Sequence, residues 1–489
     1  MSVPNTHLGP TRIGSYLDSA SRRSVFFIGI GGIMMSSLAL LTARAGYSVS
    51  GSDRTESDLT RTLEAAGITV YYAHDASNLP TDCALAVYTV AISEDNPELA
   101  EVQRRGIPCV SRADYLGYLM TGYTHRVGVA GMHGKSTCTS MCAQIFLDAH
   151  ADPTVLSGAA YTPMGGAYRI GGQENFIFEA CEYMDSFLDF RPTVAILLNE
   201  EWEHVDYFKS MEQIRTSFAA YASLTGPDGI TVVNADDPDA MESARRALAS
   251  GGTGSLCTFS TGNHPDADFT ARAIRTERGL PVFELVAYGK SLGEVKLAVP
   301  GRHQVCNALA AAAAAHACGI APHAILKGLA SFCGASRRME YKGDINGSRV
   351  YDDYGHHPTE IRATLGGARE LCDADGERGR LLCVFQPHTY SRTAELYPEF
   401  LTAFDAADRV LLIDIYSARE TDDCGVSSAG LARDLCTAAE GKATAGKAAY
   451  CPSPADAAAL LRAEAQEGDL IVIMGAGDVT RVTAALLDS

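Results

Sequence analysis

No C-x-x-C pair occurs among the fourteen cysteines, which lie scattered from Cys83 to Cys451. That absence leaves neither a disulfide framework nor a sulfur metal knuckle to read, and points to a reducing, cytoplasmic compartment. Cys138 and Cys142 stand four apart on an expected helix, where they read as two small buried hydrophobes rather than metal ligands. Long apolar runs are missing too. The longest are strand-length and end in glycine or charge, and no basic segment with an apolar stretch and cleavage site opens the chain, so neither a membrane anchor nor a secretory signal is expected. Basic residues are scarce: 40 Lys and Arg against 59 Asp and Glu give a formal net charge of −19. Such a surface repels a polyphosphate backbone and argues against nucleic acid as a partner. An anionic ligand must be held locally, by backbone amides, a metal or a few cations.

What is present is an α/β pattern repeated three times along 489 residues, too long a chain for one ordinary core and suited to about three domains. The stretch "SVFFIGIGGIMMSSLALLTARAGYSVSGSD" reads as strand, glycine turn, helix and strand, with similar alternation through "ALAVYTVAI". A second start follows at "HRVGVAGMHGKST", with strands at "NFIFEA", "TVAILLN" and "GITVVNADD" and an Ala-rich helix, "QVCNALAAAAAAHAC", stopped by Gly319. A third start contains "SRVYDD", "RLLCVFQP", "DRVLLIDI" and "DLIVIMGAG". The expectation is three parallel-sheet units, spanning 1–122, 123–336 and 337–489.

The sharpest motif is "GMHGKST", residues 131–137. A phosphate loop ordinarily carries a glycine five residues before the one preceding its lysine; here that position is Val129, so the loop is a shortened form. Lys135 at a helix start would crowd its ammonium against exposed amides unless an anion sits between them. Ser136, directly after it, is placed to ligate Mg²⁺. Acidic residues and a histidine that end neighbouring strands, Glu179 and Glu182 in one segment and Glu203, His204 and Asp206 in another, are candidates for the metal. Tandem His356 and His357, in an expected turn before Pro358, read as a binding feature. Arg392 offers the guanidinium fork that a free carboxylate requires.

With these motifs in order, the chain resembles the Mur ligases, ATP-dependent amide-forming enzymes of peptidoglycan precursor synthesis. Their short loop G-T-x-G-K-[ST]-T is matched with Met132 in place of Thr. "GIGG", "GSD", "AHDASNL" and "AISEDNPEL" resemble the family's UDP-sugar domain; "FEACEY", "EHVDYF" and "PGRHQVCNALAA" its ATPase domain; "DDYGHHPTEI" and "FQPHTYSRT" its C-terminal domain, in the form that adds alanine. The resemblance implies a Rossmann-like N-terminal domain, a central P-loop ATPase-type sheet and a Rossmann-like C-terminal domain. It implies the joining of L-alanine to the lactyl carboxylate of UDP-N-acetylmuramate through an acyl phosphate, with ATP and Mg²⁺, by a monomer or weak dimer.

The residue roles come from the same resemblance. Gly131, Met132, His133, Gly134, Lys135, Ser136 and Thr137 would bind ATP, with Lys135 on the β and γ phosphates. Ser136 and Glu179 would hold one Mg²⁺, and His204 would help bind a second. His303 and Asn307 would lie near the adenine, Arg337 or Arg338 on the phosphates and Asp353 on the ribose. Gly29, Gly31, Ser52, Asp53 and His74 would lie near the uridine diphosphate. Tyr354, His356, His388 and Arg392 would form the amino-acid side. Two departures stand out: Met34 where the family's third glycine falls, and Glu203-His204 in place of Asp-His. A recycling ligase that attaches a ready-made tripeptide shares the histidine-rich motifs, and it stays open, as does a non-catalytic nucleotide-binding relative. A nicotinamide dehydrogenase, suggested by the first glycine turn alone, leaves the second loop unexplained.

Overall fold

A computed structural model describes residues 8–19, 24–89, 92–93, 95–204, 207–262, 264–374, 379–418, 420–421, 423–438 and 447–487. Its strands form three sheets. The first is parallel throughout, in the order Thr69–Tyr71, Ser48–Ser52, Ser24–Ile28, Cys83–Tyr88, Cys109–Ser111. Ser24–Ile28 is buried along its whole length, as a central parallel strand with covered faces must be. The strand order reverses beside it, and Gly29 opens the crevice where such sheets take ligands.

The second sheet has ten strands, centred on His125–Ala130 between Val194–Leu197 and Asn175–Glu179. All three run parallel, so the loop after Ala130 emerges between the two acidic segments that follow Leu197 and Glu179. Behind it the helix Lys135–Asp148 buries Cys138, Met141, Cys142 and Ile145 completely; the two cysteines are core, as their spacing suggested. This helix packs on the Ala-rich helix His303–Ala317, in which Ala308 and Ala310–Ala315 are at most 1% exposed.

The third sheet runs Glu340–Ile345, Ser348–Asp353, Leu470–Met474, Leu381–Phe385, Arg409–Leu412, Ala448–Tyr450. The expectation of purely parallel sheets needs correction at the edges. Phe269–Glu277, Leu280–Ala287 and Lys290–Lys296 form an antiparallel meander, Gly166–Arg169 pairs antiparallel with Thr154–Tyr161, and Glu340–Ile345 with Ser348–Asp353. The hairpin turns explain two of these. Arg278-Gly279 has φ of 50° and 76°, and Asn346-Gly347 has 51° and 78°, the paired left-handed residues that a tight two-residue hairpin needs.

Candidate active site

Gly134, with φ of 83°, caps the helix that starts at Lys135. A Cβ there would sit 2.7 Å from Asn307 Oδ1, so only glycine lets the loop lie against the Ala-rich helix. Asn199, at the end of the adjoining strand, holds the loop from the other side: the His133 amide donates to its Oδ1 at 2.9 Å, and its Nδ2 donates to the His133 carbonyl at 3.0 Å. The shortened loop is thereby fixed at both of its free positions.

Lys135 Nζ donates to the Gly131 carbonyl at 2.5 Å and lies 3.0 Å from Glu182 Oε2. Burial alone would lower its pKa; the charges of Glu182, Cys181 and Glu179 outweigh that and raise it. Glu182 is fully buried and pairs with His204 Nε2 at 3.0 Å as well. Burial pushes its carboxyl up, but Lys135 and His204 hold it below the usual range. Directly after it Met184 and Asp185 take φ of 54° and 55°, two successive strained residues that turn the chain sharply. Glu179 sits elsewhere: its Oε2 accepts from the Gly158 amide at 2.8 Å. The structure thus brings Glu182, rather than Glu179, onto Lys135 and His204. Asp206 lies outside the described residues. The oxygens of Ser136 and Glu182 and the nitrogen of His204 are donors suited to a divalent cation, and Glu182 Oε2 is buried with no aligned hydrogen-bond donor among the described residues.

A cavity of about 340 Å³ opens beside the loop, walled by His133, Gly134, Thr137, His303 and Asn307 on one side and Arg338, Asp353 and Glu360 on the other. Asn307 is buried rather than solvent-facing. His303 is kept neutral, burial pushing its pKa down to about 4. Asp353 accepts from the amides of Met339 and Gly355 at 2.9 and 2.8 Å, and burial raises its pKa. The two arginines diverge. Arg338 lines the cavity, whereas Arg337 turns to the Gly475 carbonyl at 2.5 Å and to Asp352; both stack on Tyr354 at 5.2 and 5.0 Å.

A second cavity, about 610 Å³, lies across the same seam and is lined by Cys181, Tyr183, Trp202, His204, His388 and Arg392 among others. Arg392 reaches Glu203 Oε1 at 3.2 Å and His388 Nδ1 at 3.2 Å. His356 Nε2 lies 3.8 Å from the same Glu203 oxygen. Burial would raise the Glu203 carboxyl, but His356, His133 and His204 hold it well below the carboxylate range. Glu203, a metal candidate in the sequence, faces Arg392 and His356 of the third sheet's unit. Burial, with His356 and Arg392, pushes His388 down to about 4.

The remaining predicted residues form a separate group on the first sheet. Gly29 has φ of 83°, and the Gly31 amide donates to Asp53 Oδ2 at 2.8 Å. Ser52 Oγ and His74 Nδ1 both meet Glu98 Oε2, at 2.6 and 2.9 Å, and Asn78 donates to its other oxygen at 2.8 Å. Met34 packs against the core, leaving Ile33 exposed at the glycine turn. Sequence reading missed Glu98, Glu201 and Glu360, and noted Asn199 only as the second residue of Leu198-Asn199, where the family has T-N. Only "NPEL" hinted at the first, and the others become visible once strand ends are brought together.

This arrangement, a phosphate loop between acidic strand ends with a third α/β unit closing over it, is matched along the chain by the Mur ligase descriptions: the family's catalytic domain over residues 24–124, its middle domain over 129–315 and its glutamate ligase domain over 337–477. The chain belongs to the Mur ligase family. It is 43% identical over 472 residues to a UDP-N-acetylmuramate–L-alanine ligase of Agathobacter rectalis, covering 96% of this chain and 99% of the relative. It is 40% identical over 469 residues to the ligase of that name from Clostridium novyi, covering 96% and 98%. Among solved structures, the UDP-N-acetylmuramate-alanine ligase of Thermotoga maritima superposes with a TM-score of 0.73 at 26% identity over 95% of this chain and 98% of that one. A murein peptide ligase of Psychrobacter arcticus gives 0.63 at 26% identity over the same shares.

Proposed function

We propose that this chain is an ATP-dependent ligase that joins L-alanine to the lactyl carboxylate of UDP-N-acetylmuramate, in the cytoplasm, as a step of peptidoglycan precursor synthesis. The observation that carries the reading is the convergence of Lys135, Glu182 and His204 at the seam where Arg392 meets Glu203. In this reading, phosphate-handling and carboxylate-binding groups share one cleft. In this reading the spans 1–122, 123–336 and 337–489 take the UDP-sugar, ATP and the amino acid, and the chain acts as a monomer or weak dimer.

A carboxylate resists nucleophilic attack, because its charge repels the nucleophile and oxide cannot leave. Transfer of the γ-phosphoryl group of ATP to the lactyl carboxylate makes an acyl phosphate, from which phosphate leaves as the amine attacks. Phosphoryl transfer asks mainly for positioning and charge neutralisation. Lys135 supplies a cation on the transferred group, and the amides of 131–137 cradle the phosphates at the helix N-terminus. Ser136, Glu182 and His204, with Glu179 on the same strand-end segment, would hold Mg²⁺, which would supply charge neutralisation on the phosphate oxygens. Asn307, His303, Arg338 and Asp353 seat the nucleoside.

Arg392 binds the carboxylate of L-alanine, exchanging Glu203 for it, and His388, a weak base, orients that guanidinium. His356, at the seam 3.8 Å from Glu203, is the group placed to take the amine's proton. Phosphate release from ATP, Mg²⁺ and UDP-N-acetylmuramate, compared with no acceptor, L-alanine, glycine, L-serine and the murein tripeptide, tests the reading. Release that needs L-alanine and yields the alanyl product mass supports it. Release with the tripeptide alone moves the chain to recycling, and no release despite ATP binding makes it non-catalytic.

A further inference from the structure

His133, Glu201 and His357 stand close enough to share one ion: a donor atom from each lies within 4.8 Å of the other two. None of the three has a part in the Mg²⁺ set above. His133 comes from the phosphate loop and Glu201 from the segment after Val194–Leu197, both on the central sheet. His357 is the N-cap of the helix Pro358–Cys372 on the third. The group therefore straddles the seam.

We infer that His133, Glu201 and His357 form a binding site for a borderline divalent cation, zinc first, that clips the third domain onto the phosphate loop. Two imidazoles and one carboxylate with an open fourth position are the donor set and count of a tetrahedral N/O zinc site. Zinc bonds of about 2.0–2.1 Å place tetrahedral ligand atoms about 3.4 Å apart. His133 Nε2 is 2.8 Å from Glu201 Oε2, and His357 Nδ1 is 3.9 Å from that oxygen. These two distances bracket the requirement. The rings of His133 and His357 lie 4.9 Å apart, centre to centre.

His357 is 3% exposed; its Nδ1 accepts from the Thr359 amide at 3.3 Å, and its Nε2 is buried with no hydrogen-bond partner among the described residues. The surroundings favour a cation: Glu360 Oε1 lies 3.5 Å from His133 Nδ1, and the carboxylates of Glu201 and Glu360 raise the His133 pKa against its burial. Binding releases the proton His133 carries, and the Glu360 carboxylate then orients the bound imidazole, as the outer partners of metal-bound histidines do. Burial and His133 lower the His357 pKa, and a bound cation would take the Nδ1 lone pair that otherwise accepts from the Thr359 amide.

Co²⁺ is the probe, added to the full chain in a large excess of Mg²⁺, which occupies the oxygen-rich site near Lys135. The expected result is one Co²⁺ retained per chain by equilibrium dialysis, with d–d absorption of N/O coordination and without thiolate charge-transfer bands from any of the cysteines. Small-angle scattering should show the chain more compact with Co²⁺ and no nucleotide. His357→Asn, which keeps a capping oxygen for the helix, and Glu201→Gln, which keeps an acceptor for the Thr359 hydroxyl, should each weaken retention by more than about tenfold. Far-UV circular dichroism of both variants reports the fold. Complete displacement by Mg²⁺, thiolate bands, or retention unchanged in both folded variants would overturn the proposal.

Discussion

The guanidinium of Arg392, on the helix Tyr390–Glu395, lies 3.2 Å from the carboxylate of Glu203, 189 residues earlier in the chain and in the segment after a strand of the central sheet. In the absence of amino acid the two satisfy each other, so the carboxylate of an incoming substrate has to compete with Glu203 for one fork. Arg392→Lys keeps the charge and loses the fork. The expected outcome is a KM for L-alanine raised by about tenfold or more with a smaller fall in kcat, read from phosphate release at varied L-alanine; an unchanged KM would place the amino acid elsewhere.

Glu182 and Glu179 are three residues apart, but only the first meets Lys135. Glu182→Gln should abolish most activity and shift the Mg²⁺ dependence to higher concentration, while Glu179→Gln should do less of both. Titrating Mg²⁺ in each variant decides the order, and the reverse ranking returns the metal to Glu179.

Lys135→Ala should reduce product formation by at least about 10²-fold, the usual cost of losing one preorganised charge-stabilising donor. It also strips a buried carboxylate of its main counter-charge, for which about 3–5 kcal/mol is typical. Denaturant melts of the variant should therefore show a loss of stability, and a second change, Glu182→Gln, should restore part of it.

Gly134→Ala tests the close approach to Asn307. The added Cβ meets Asn307 Oδ1 at 2.7 Å, and the residue sits at φ of 83°, a left-handed conformation that costs a side chain about 1–2 kcal/mol. Weaker ATP binding by calorimetry, with a lowered melting temperature, is expected; Asn307→Ala in the same chain should relieve the contact but not the backbone strain.

Glu200 gives a pH dependence with a definite sign. Burial raises its pKa from 4.5 to about 8, so between those values the folded chain binds more protons than the unfolded one. Stability from this group is present below pH 4.5 and is lost as pH rises through about 8. Glu200→Gln, permanently neutral, should match the native chain at the acid end and exceed it at the alkaline end in denaturant melts.

Most of the strands and the two long helices next to the loop were legible from period and punctuation, since a buried parallel strand such as Leu381–Phe385 announces itself as an apolar run. The edge hairpins were not: in Phe269–Glu277 exposed and buried positions alternate irregularly, and the turn at Arg278-Gly279 looks like ordinary surface sequence. For the site, "GMHGKST" named its own chemistry, because a loop motif is local. Which acid completes it is a matter of strand register and of the sharp turn at Met184 and Asp185, neither of which has a pattern of its own. The residues that reach across the seam, Glu201, Glu203 and Glu360, read in the sequence as solvated charges.

The helix His303–Ala317 carries a consequence for the genetics of the chain. Ala308 and Ala310–Ala315 are almost without exposure, packed under the phosphate loop's own helix. A valine at any of these positions, one nucleotide away from any alanine codon, inserts two methyl groups where no space exists, at about 1–3 kcal/mol each. Such changes leave every site residue intact and yet loosen the platform on which Gly134 rests. Temperature-sensitive variants, active at low temperature and inactive at high, should therefore gather in this blandest stretch of the sequence.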